Sequence, residues 1–470
     1  MTKTLPTAET AAVPNSSGIT VIIVGLGIAG LTTAVECHRR GHSVIGFEKR
    51  EDHHQLGDLV GLGANGMNVL SRWDKSMRPA IDAIRAAISS IDYYDSGGEL
   101  KGSLPYSGDD QLNVHVVQRS GLIDLLYGKA KDRGIDLRFG VRVCDYWESG
   151  GNAGIMLENG HKVAADCVIA ADGVHSKATG IFTGEDVAPY STGAAIYRSH
   201  FDAREIRDDP EANWILNSTA QADNVNMYFG KDTTLLVGTV GKGKYVSWNM
   251  PHKVSSPLAF PFGMSLITLK QVEGLSNSWL QPADPRRVLE FVKDWPIGQK
   301  LTAILSKTPP QRCWNHSILA RYPLSTWVSK GGRMIVIGDA AHPMHPNLAQ
   351  GANLAIEDAA VVAICLELCG RENVPIGLRV MEKLRHKRVS VVQAATIKAM
   401  ERQFDANWDT DQVQGKPTYI PRPAWLLRHD CVGHTYDQYQ SAALAVANGS
   451  EYIPTNAPLN GVYDDIPEPA

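Results

Sequence analysis

Gly25-Leu26-Gly27-Ile28-Ala29-Gly30, followed downstream by Glu48, is the part of this chain best suited to hold a dinucleotide. Gly25 permits a tight turn, Gly27 lets the backbone approach a pyrophosphate, and Gly30 lets a helix pack close to its strand. The N-terminus of the following helix offers free N–H groups and a positive dipole end to phosphate. The Glu48 carboxylate stands where it can accept hydrogen bonds from a ribose diol. Which dinucleotide is held is left open by this turn alone. Two further acid–glycine turns could serve the same ligand: Asp172-Gly173 and Gly338-Asp339, the latter followed by Gln350-Gly351-Ala352-Asn353. A lone arginine, Arg198, falls in the run Ala194-Ala195-Ile196-Tyr197-Arg198. An arginine alternating with Ala and Ile on one strand face calls for an anionic or electron-rich partner.

These residues need particular elements to place them. Ile19–Val24 is a nearly continuous apolar run and predicts a buried parallel strand. With the helix starting near Leu31 and closed by Gly41, and the strand Ser43–Phe47, it completes a βαβ unit. Val163–Ala171 predicts a second buried strand, ending in Asp172. Met334–Ile337 predicts a third, running into Gly338-Asp339. Ligands of such sheets collect at the C-terminal ends of the strands. A helix over Ala352–Leu368 starts just after Gly351, and Glu357 and Asp358 suit its positive dipole end. Arg119 opens another helix, where a cation is disfavoured by the dipole and asks for an anionic partner.

From Lys177 to Lys330 short strands follow one another, among them Gly193–Phe201, Trp214–Asn217, Val225–Phe229, Thr233–Val240 and Lys244–Met250. The expectation is an antiparallel sheet inserted in an α/β domain. The fold class is therefore α/β: a Rossmann-like domain over 19–176 and 331–375, an inserted sheet domain over 177–330, and a C-terminal helix with a loop-rich extension over 376–470. Residues 1–18, polar and small, read as a flexible tail. Lys383, Arg385, Lys387 and Arg388 in the last long helix read as a solvated face.

The chain has 470 residues, 43% hydrophobic and 20% charged, enough for a sizeable core. A formal net charge of −4 gives no general pull toward nucleic acid or anionic membrane. No run of about 18 apolar residues is present, so no membrane span is expected. Seven scattered cysteines without C-x-x-C fit reduced thiols and a cytoplasmic location. His53 and His54 have no third ligand nearby in sequence, so they read as solvated and no metal is expected.

The three motifs, in this order and spacing, resemble the single-component FAD-dependent aromatic (class A) monooxygenases, most closely the fungal salicylate hydroxylase-like group. The likeness spans residues 19–400. It implies that Gly25, Gly27, Gly30, Glu48 and Arg50 hold the ADP half of FAD. Gly61 and Arg119 would touch the middle of the cofactor, and Asp339 would bond the ribityl chain. Gly351, Ala352 and Asn353 would bring backbone N–H groups to the pyrimidine edge of the flavin. Asp172 would serve both FAD and a transient NADPH or NADH, which has no Rossmann unit of its own here. The implied reaction is hydroxylation or epoxidation of an electron-rich phenol or indole by NAD(P)H and O2 through a flavin C4a-hydroperoxide, in secondary metabolism, by a monomer or homodimer. Arg198 matches a ring-facing arginine of phenol-dearomatising relatives. Their partner tyrosine would fall near Gly238, so Tyr197 or Tyr245 would have to replace it; Arg198 and Tyr197 are the catalytic candidates. Two departures in function compete: a flavin-dependent halogenase, whose W-x-W-x-I-P stretch is absent, and an NAD-dependent dehydrogenase, against which Gly338-Asp339 tells.

Overall fold

A computed structural model describes residues 16–54, 59–105, 114–185, 188–254, 281–405 and 423–463. The expectations for most of the 1–18 tail, for 255–280, for 406–422 and for 464–470 fall outside the described residues.

Five parallel strands form the central sheet, in the order Met334–Val336, Cys167–Ala170, Thr20–Val24, Ser43–Phe47, Asp136–Arg138. Its middle strands are buried on both faces: Val21, Ile22, Ile23, Val168, Ile169 and Ile335 are all fully inaccessible. That burial is what their unbroken β-branched runs dictate. The consequence for function is topological. Three neighbouring strands run the same way, so their C-terminal turns, each carrying one of the sequence motifs, leave from one edge of the sheet. Helix Ile28–Arg39 packs against helices Arg119–Asp132 and Gly351–Cys369.

The run expected as one strand, 163–171, is split. Lys162–Ala165 pairs antiparallel with Ala153–Leu157 in a separate three-stranded sheet, and only Cys167–Ala170 joins the central one. Asp166 makes the break. Its carboxylate accepts the Thr20 amide (2.7 Å) and Arg371 Nε (3.0 Å), which turns the chain from one sheet into the other.

The second large sheet has seven strands, ordered Cys313–Ala320, Tyr190–Asp202, Tyr245–Lys253, Thr233–Val240, Val225–Gly230, Ser90–Asp95, Leu100–Pro105. Every pair is antiparallel except Val225–Gly230 with Ser90–Asp95. The sheet thus takes two strands from well ahead of residue 177. Trp214–Asn217, expected as a strand, is instead a 3-10 turn, Asn213–Leu216. Its carbonyls are satisfied by the Asn224 side chain, which donates to Ile215 O and Asn217 O, and so need no strand partner. One face of the sheet is covered by helices Arg286–Val292 and Gly298–Leu305 around Tyr197, Phe201, Trp248 and Met250. On the other face Ala194, Ile196 and Ile318 meet Met400 and Phe404 from the end of helix Val374–Asp405.

The C-terminal region is more ordered than the sequence suggests. Helix Cys431–Asn448 has Asp430 as N-cap, accepting from the amides of Val432 and Gly433 (3.1 Å each), and stops at Gly449, which is left-handed.

Candidate active site

Gly25 has φ +91°, a conformation that L side chains avoid, and a Cβ there would meet Ala171 O and Asp172 Cα at 2.6 Å. The first and second motifs are therefore in van der Waals contact through a glycine. A Cβ on Gly30 would lie 1.8 Å from Gly25 O, so only glycine lets helix Ile28–Arg39 start this close to its strand. Gly27 is different: a Cβ there would enter open space, the clearance a pyrophosphate needs. Glu48 accepts the Leu26 amide (2.9 Å) and the Arg50 amide (3.0 Å), which aims its carboxylate across the mouth of the glycine turn. The Arg50 side chain is exposed, and its backbone carbonyl accepts Gly140 N at 2.6 Å.

Asp172 carries a buried Oδ1 without a hydrogen-bond partner, and burial pushes its carboxyl up to about 6, against the pull of Ser176 and Lys49. A carboxyl in that range can accept a proton near neutrality and then donate to a ligand. Arg321 is the residue the sequence did not announce here. Fully enclosed, it donates to Ala340 O (2.6 Å), Thr179 Oγ1 (3.3 Å) and Val174 O (3.2 Å), fastening the Asp172 turn to the Asp339 turn. It closes strand Cys313–Ala320, and no motif marks it.

Asp339 is open to solvent, while the protein mass around it raises its carboxyl and His342 and Arg119 pull it back down. Arg119, at the start of helix Arg119–Asp132, is half-buried, and its charge helps to lower the Asp339 carboxyl. Gly338 and His342 are both held from below by Asp358, which accepts from Gly338 N (3.2 Å) and contacts His342 Nε2 (2.6 Å).

Helix Gly351–Cys369 begins with Gln350 as N-cap. Leu354 N is the first amide to bond within the helix, to Gln350 O, so the amides of Gly351, Ala352 and Asn353 belong to the free first turn. Such a terminus would suit negative charge on the pyrimidine edge of a flavin placed there. The Asn353 side chain has a second task. It donates to Gly61 O (3.0 Å) and Ala349 O (2.7 Å) and accepts Gly63 N (2.8 Å). It thereby locks the Gly61 strand onto the helix start. A Cβ on Gly61 would stand 2.6 Å from the Ala349 Cβ, so this close approach requires glycine.

These features fit FAD on grounds of the chain itself: clearance at Gly27, an orphaned acceptor on Asp172, an open acid at 339 and a free helix terminus. If Asp339 bonds the ribityl chain as the resemblance implies, Asp339→Ala would remove a charge-assisted hydrogen bond worth about 1.5–3 kcal/mol. It is expected to weaken FAD about tenfold to a hundredfold. Fluorescence titration of the stripped protein with FAD checks this; a variant with the parental dissociation constant would contradict the role.

The catalytic candidates separate. Opposite residues of an antiparallel pair share a face. Arg198 stands opposite Trp314 and Ile196 opposite His316, so these four project from the face that meets Met400 and Phe404. Arg198, Trp314 and His316 are each under 5% exposed, and the Arg198 guanidinium lies 5.8 Å from the Trp314 ring. His316 is pushed down to about 3 by burial first and the Arg198 charge second, so it is neutral at physiological pH. His200, two residues along, reaches Gln118, the cap of the Arg119 helix, at 3.5 Å. This is the face turned to the FAD half.

Tyr197 does not join it. It stacks on His252 (5.1 Å) and packs near Phe291 (6.2 Å) in the core on the opposite face. Tyr245 is on the correct face, tilted against His200 at 4.9 Å, but it pairs with Asp202. Four residues along an extended strand put it about 13 Å from the level of Arg198. At Gly238 a Cβ would meet Asn224 O at 2.5 Å, so no tyrosine fits there. The aromatic partner of Arg198 is Trp314, brought opposite it by the pairing of Tyr190–Asp202 with Cys313–Ala320.

The sequence model of the FAD binding domain family matches residues 18–216 and 318–396. Over 465 residues the chain is 46% identical to notoamide E oxidase notB' of Aspergillus versicolor, covering 98% of each protein. It is 39% identical to the FAD-dependent monooxygenase notI of Aspergillus sp. (strain MF297-2), covering 94% of this chain and 96% of the relative. The crystal structure of CtdE in complex with FAD and substrate 4 superposes with a TM-score of 0.84 at 41% identity, covering 91% of this chain and all of CtdE.

Proposed function

This chain belongs to the FAD-dependent monooxygenases of the FAD binding domain family, and from that premise we propose that it oxygenates an indole-type aromatic ring in fungal secondary metabolism. NAD(P)H supplies two electrons, one atom of O2 enters the ring as hydroxyl or epoxide, and the other leaves as water. Bound FAD supplies the electrophilic oxygen; the chain's own residues do the rest. Glu48 and the glycine turn would hold the ribose and pyrophosphate, Asp339 the ribityl chain, and the Gly351–Asn353 amides the pyrimidine edge. The inserted sheet presents the ring and excludes water, so that oxygen is transferred rather than lost as H2O2.

The single observation that carries this reading is the buried Arg198–Trp314–His316 face turned to the FAD half. A guanidinium held by an aromatic ring, beside a neutral imidazole, suits the negative charge that would build on oxygen as the O–O bond breaks and an electron-rich ring takes the electrophilic atom. The notB' relative is named for oxidation of notoamide E, which supports indole alkaloids over simple phenols as the first substrates to test.

The test is NADPH and NADH consumption by the yellow holoprotein against phenols, salicylates and indole alkaloids under 18O2. An indole substrate should accelerate NAD(P)H oxidation and gain one labelled oxygen. Halogenation in the presence of chloride, or oxidation indifferent to every ring, would overturn the proposal.

A further inference from the structure

We propose that His53, His54 and Asp124 form a surface site for one divalent transition ion of the Zn2+ class, clamping the loop after Glu48 to the helix that starts at Arg119. Read along the sequence, the two histidines have no third ligand. The fold supplies one: His53 Nε2 lies 3.4 Å and His54 Nδ1 3.8 Å from the same oxygen, Asp124 Oδ1. One donor atom from each residue lies within 4.8 Å of the other two. Two imidazole nitrogens and one carboxylate oxygen form a donor set for Zn2+ and its neighbours, not for Ca2+ or Mg2+, which take all-oxygen shells. Bonds of 2.0–2.1 Å in tetrahedral geometry put neighbouring donors about 3.3 Å apart. The His53–Asp124 edge already has about that length, the His54–Asp124 edge must shorten by about half an ångström, and the His53–His54 edge, within 4.8 Å, closes by rotation of the exposed His54 ring.

The supporting structure favours closure. The His53 ring is stacked on Tyr127 at 3.8 Å and 15°, with Phe139 edge-on at 6.3 Å, so its direction is fixed. Tyr127 stands one helical turn after Asp124, so one helix supplies both a ligand and the support of a second ligand. The His54 amide donates to Asp52 Oδ1 (3.0 Å), a tight turn that keeps the two rings on one side, 4.2 Å apart. His54 and Asp124 are 71% and 52% exposed, so the ion keeps open positions for water and a path of entry. The site serves no step of the oxygenation. It joins two elements that leave the FAD cradle at Glu48 and at Arg119, and binding of ion and of FAD are then linked reciprocally.

The test uses untagged, FAD-loaded protein titrated with ZnCl2 by calorimetry in a non-chelating buffer, with MgCl2 as the control. One equivalent of Zn2+ and no saturable Mg2+ binding are expected, with a rise in melting temperature that EDTA reverses. His53→Ala, His54→Ala and Asp124→Asn should each weaken Zn2+ about tenfold or more while keeping full FAD content. Absence of saturable Zn2+ binding, or binding unchanged in His54→Ala and Asp124→Asn, would overturn the site whatever the enzyme's substrate proves to be.

Discussion

Arg388→Ala is expected to lower the free energy of unfolding by about 3–5 kcal/mol, the largest loss among single substitutions considered for this chain. Glu357, Asp358, Arg385 and Arg388 are all completely buried. Arg388 spans both Glu357 oxygens (2.9 and 3.0 Å) and donates to the carbonyls of Trp425, Leu426 and Asn456. Arg385 bonds Glu357 and Asp358 and donates to Leu354 O. Truncating Arg388 strands three C-terminal carbonyls and leaves the Glu357 charge with one guanidinium instead of two. Replacing a whole buried ion cluster by apolar groups can be neutral; removing one member is not. Chemical denaturation followed by tryptophan fluorescence gives the number, and a loss under 1 kcal/mol would show that solvent reaches the cluster.

The same cluster sets the acid limit of the fold. Arg388 and Arg385 hold the Glu357 carboxyl, and Arg385 and His342 hold that of Asp358, below their ordinary values, more than offsetting burial. A carboxyl depressed in the folded state contributes stability that is fully present above its unfolded value, about 4.3 for Glu and 3.9 for Asp. That contribution is lost as pH falls further toward the folded values. Melting temperature should therefore drop steeply below about pH 4.5, and less steeply in Glu357→Gln, which has one depressed carboxyl fewer. Because Asp358 also carries Gly338 and His342, release of flavin should accompany the acid transition.

What was legible in the sequence was what the chain encodes in contiguous runs. The three turns announced themselves because each is a strand end joined to glycine and acid, and parallel pairing of their strands then left no choice about where they meet. Arg198 was legible through alternation with Ala194 and Ile196, and the same alternation already places Tyr197 on the other face. Trp314 and His316 were not legible as its neighbours, since their meeting depends on a strand pairing across more than a hundred residues. The basic middle of the last long helix was half legible. Lys383 and Lys387 are exposed as expected, whereas Arg385 and Arg388, three apart and hence on one face, are buried on Glu357 and Asp358. No local pattern distinguishes the two pairs; the difference comes from acids on another helix. His53 and His54 gained Asp124 in the same way.

Arg198→Ala is expected to lower coupled product formation about a hundredfold, with NAD(P)H consumption continuing and H2O2 released in place of product. The reasoning starts from placement. Arg198 is 4% exposed, mid-strand, with its guanidinium over Trp314 and beside neutral His316, on the face turned to the FAD half. Asp202 is engaged by Arg204 (2.9 Å). It also lies four residues along the same strand, about 13 Å away. On the proposed reading, a fixed cation at this face would act on the negative charge that develops on oxygen as the O–O bond breaks, an interaction made more in the transition state than in the ground state. The loss should therefore appear in kcat and in coupling rather than in KM. Arg198→Lys keeps the charge without the planar fork that lies on Trp314, so it should recover part of the coupling and none of the stacking. Trp314→Leu, which keeps Arg198 but removes the ring that orients it, should fall between the two. Flavin content and melting temperature identify any variant that fails by misfolding. Unchanged coupling in Arg198→Ala, at full FAD occupancy and with a substrate that the parent protein oxygenates, would remove Arg198 from the chemistry and leave it to hold the sheet.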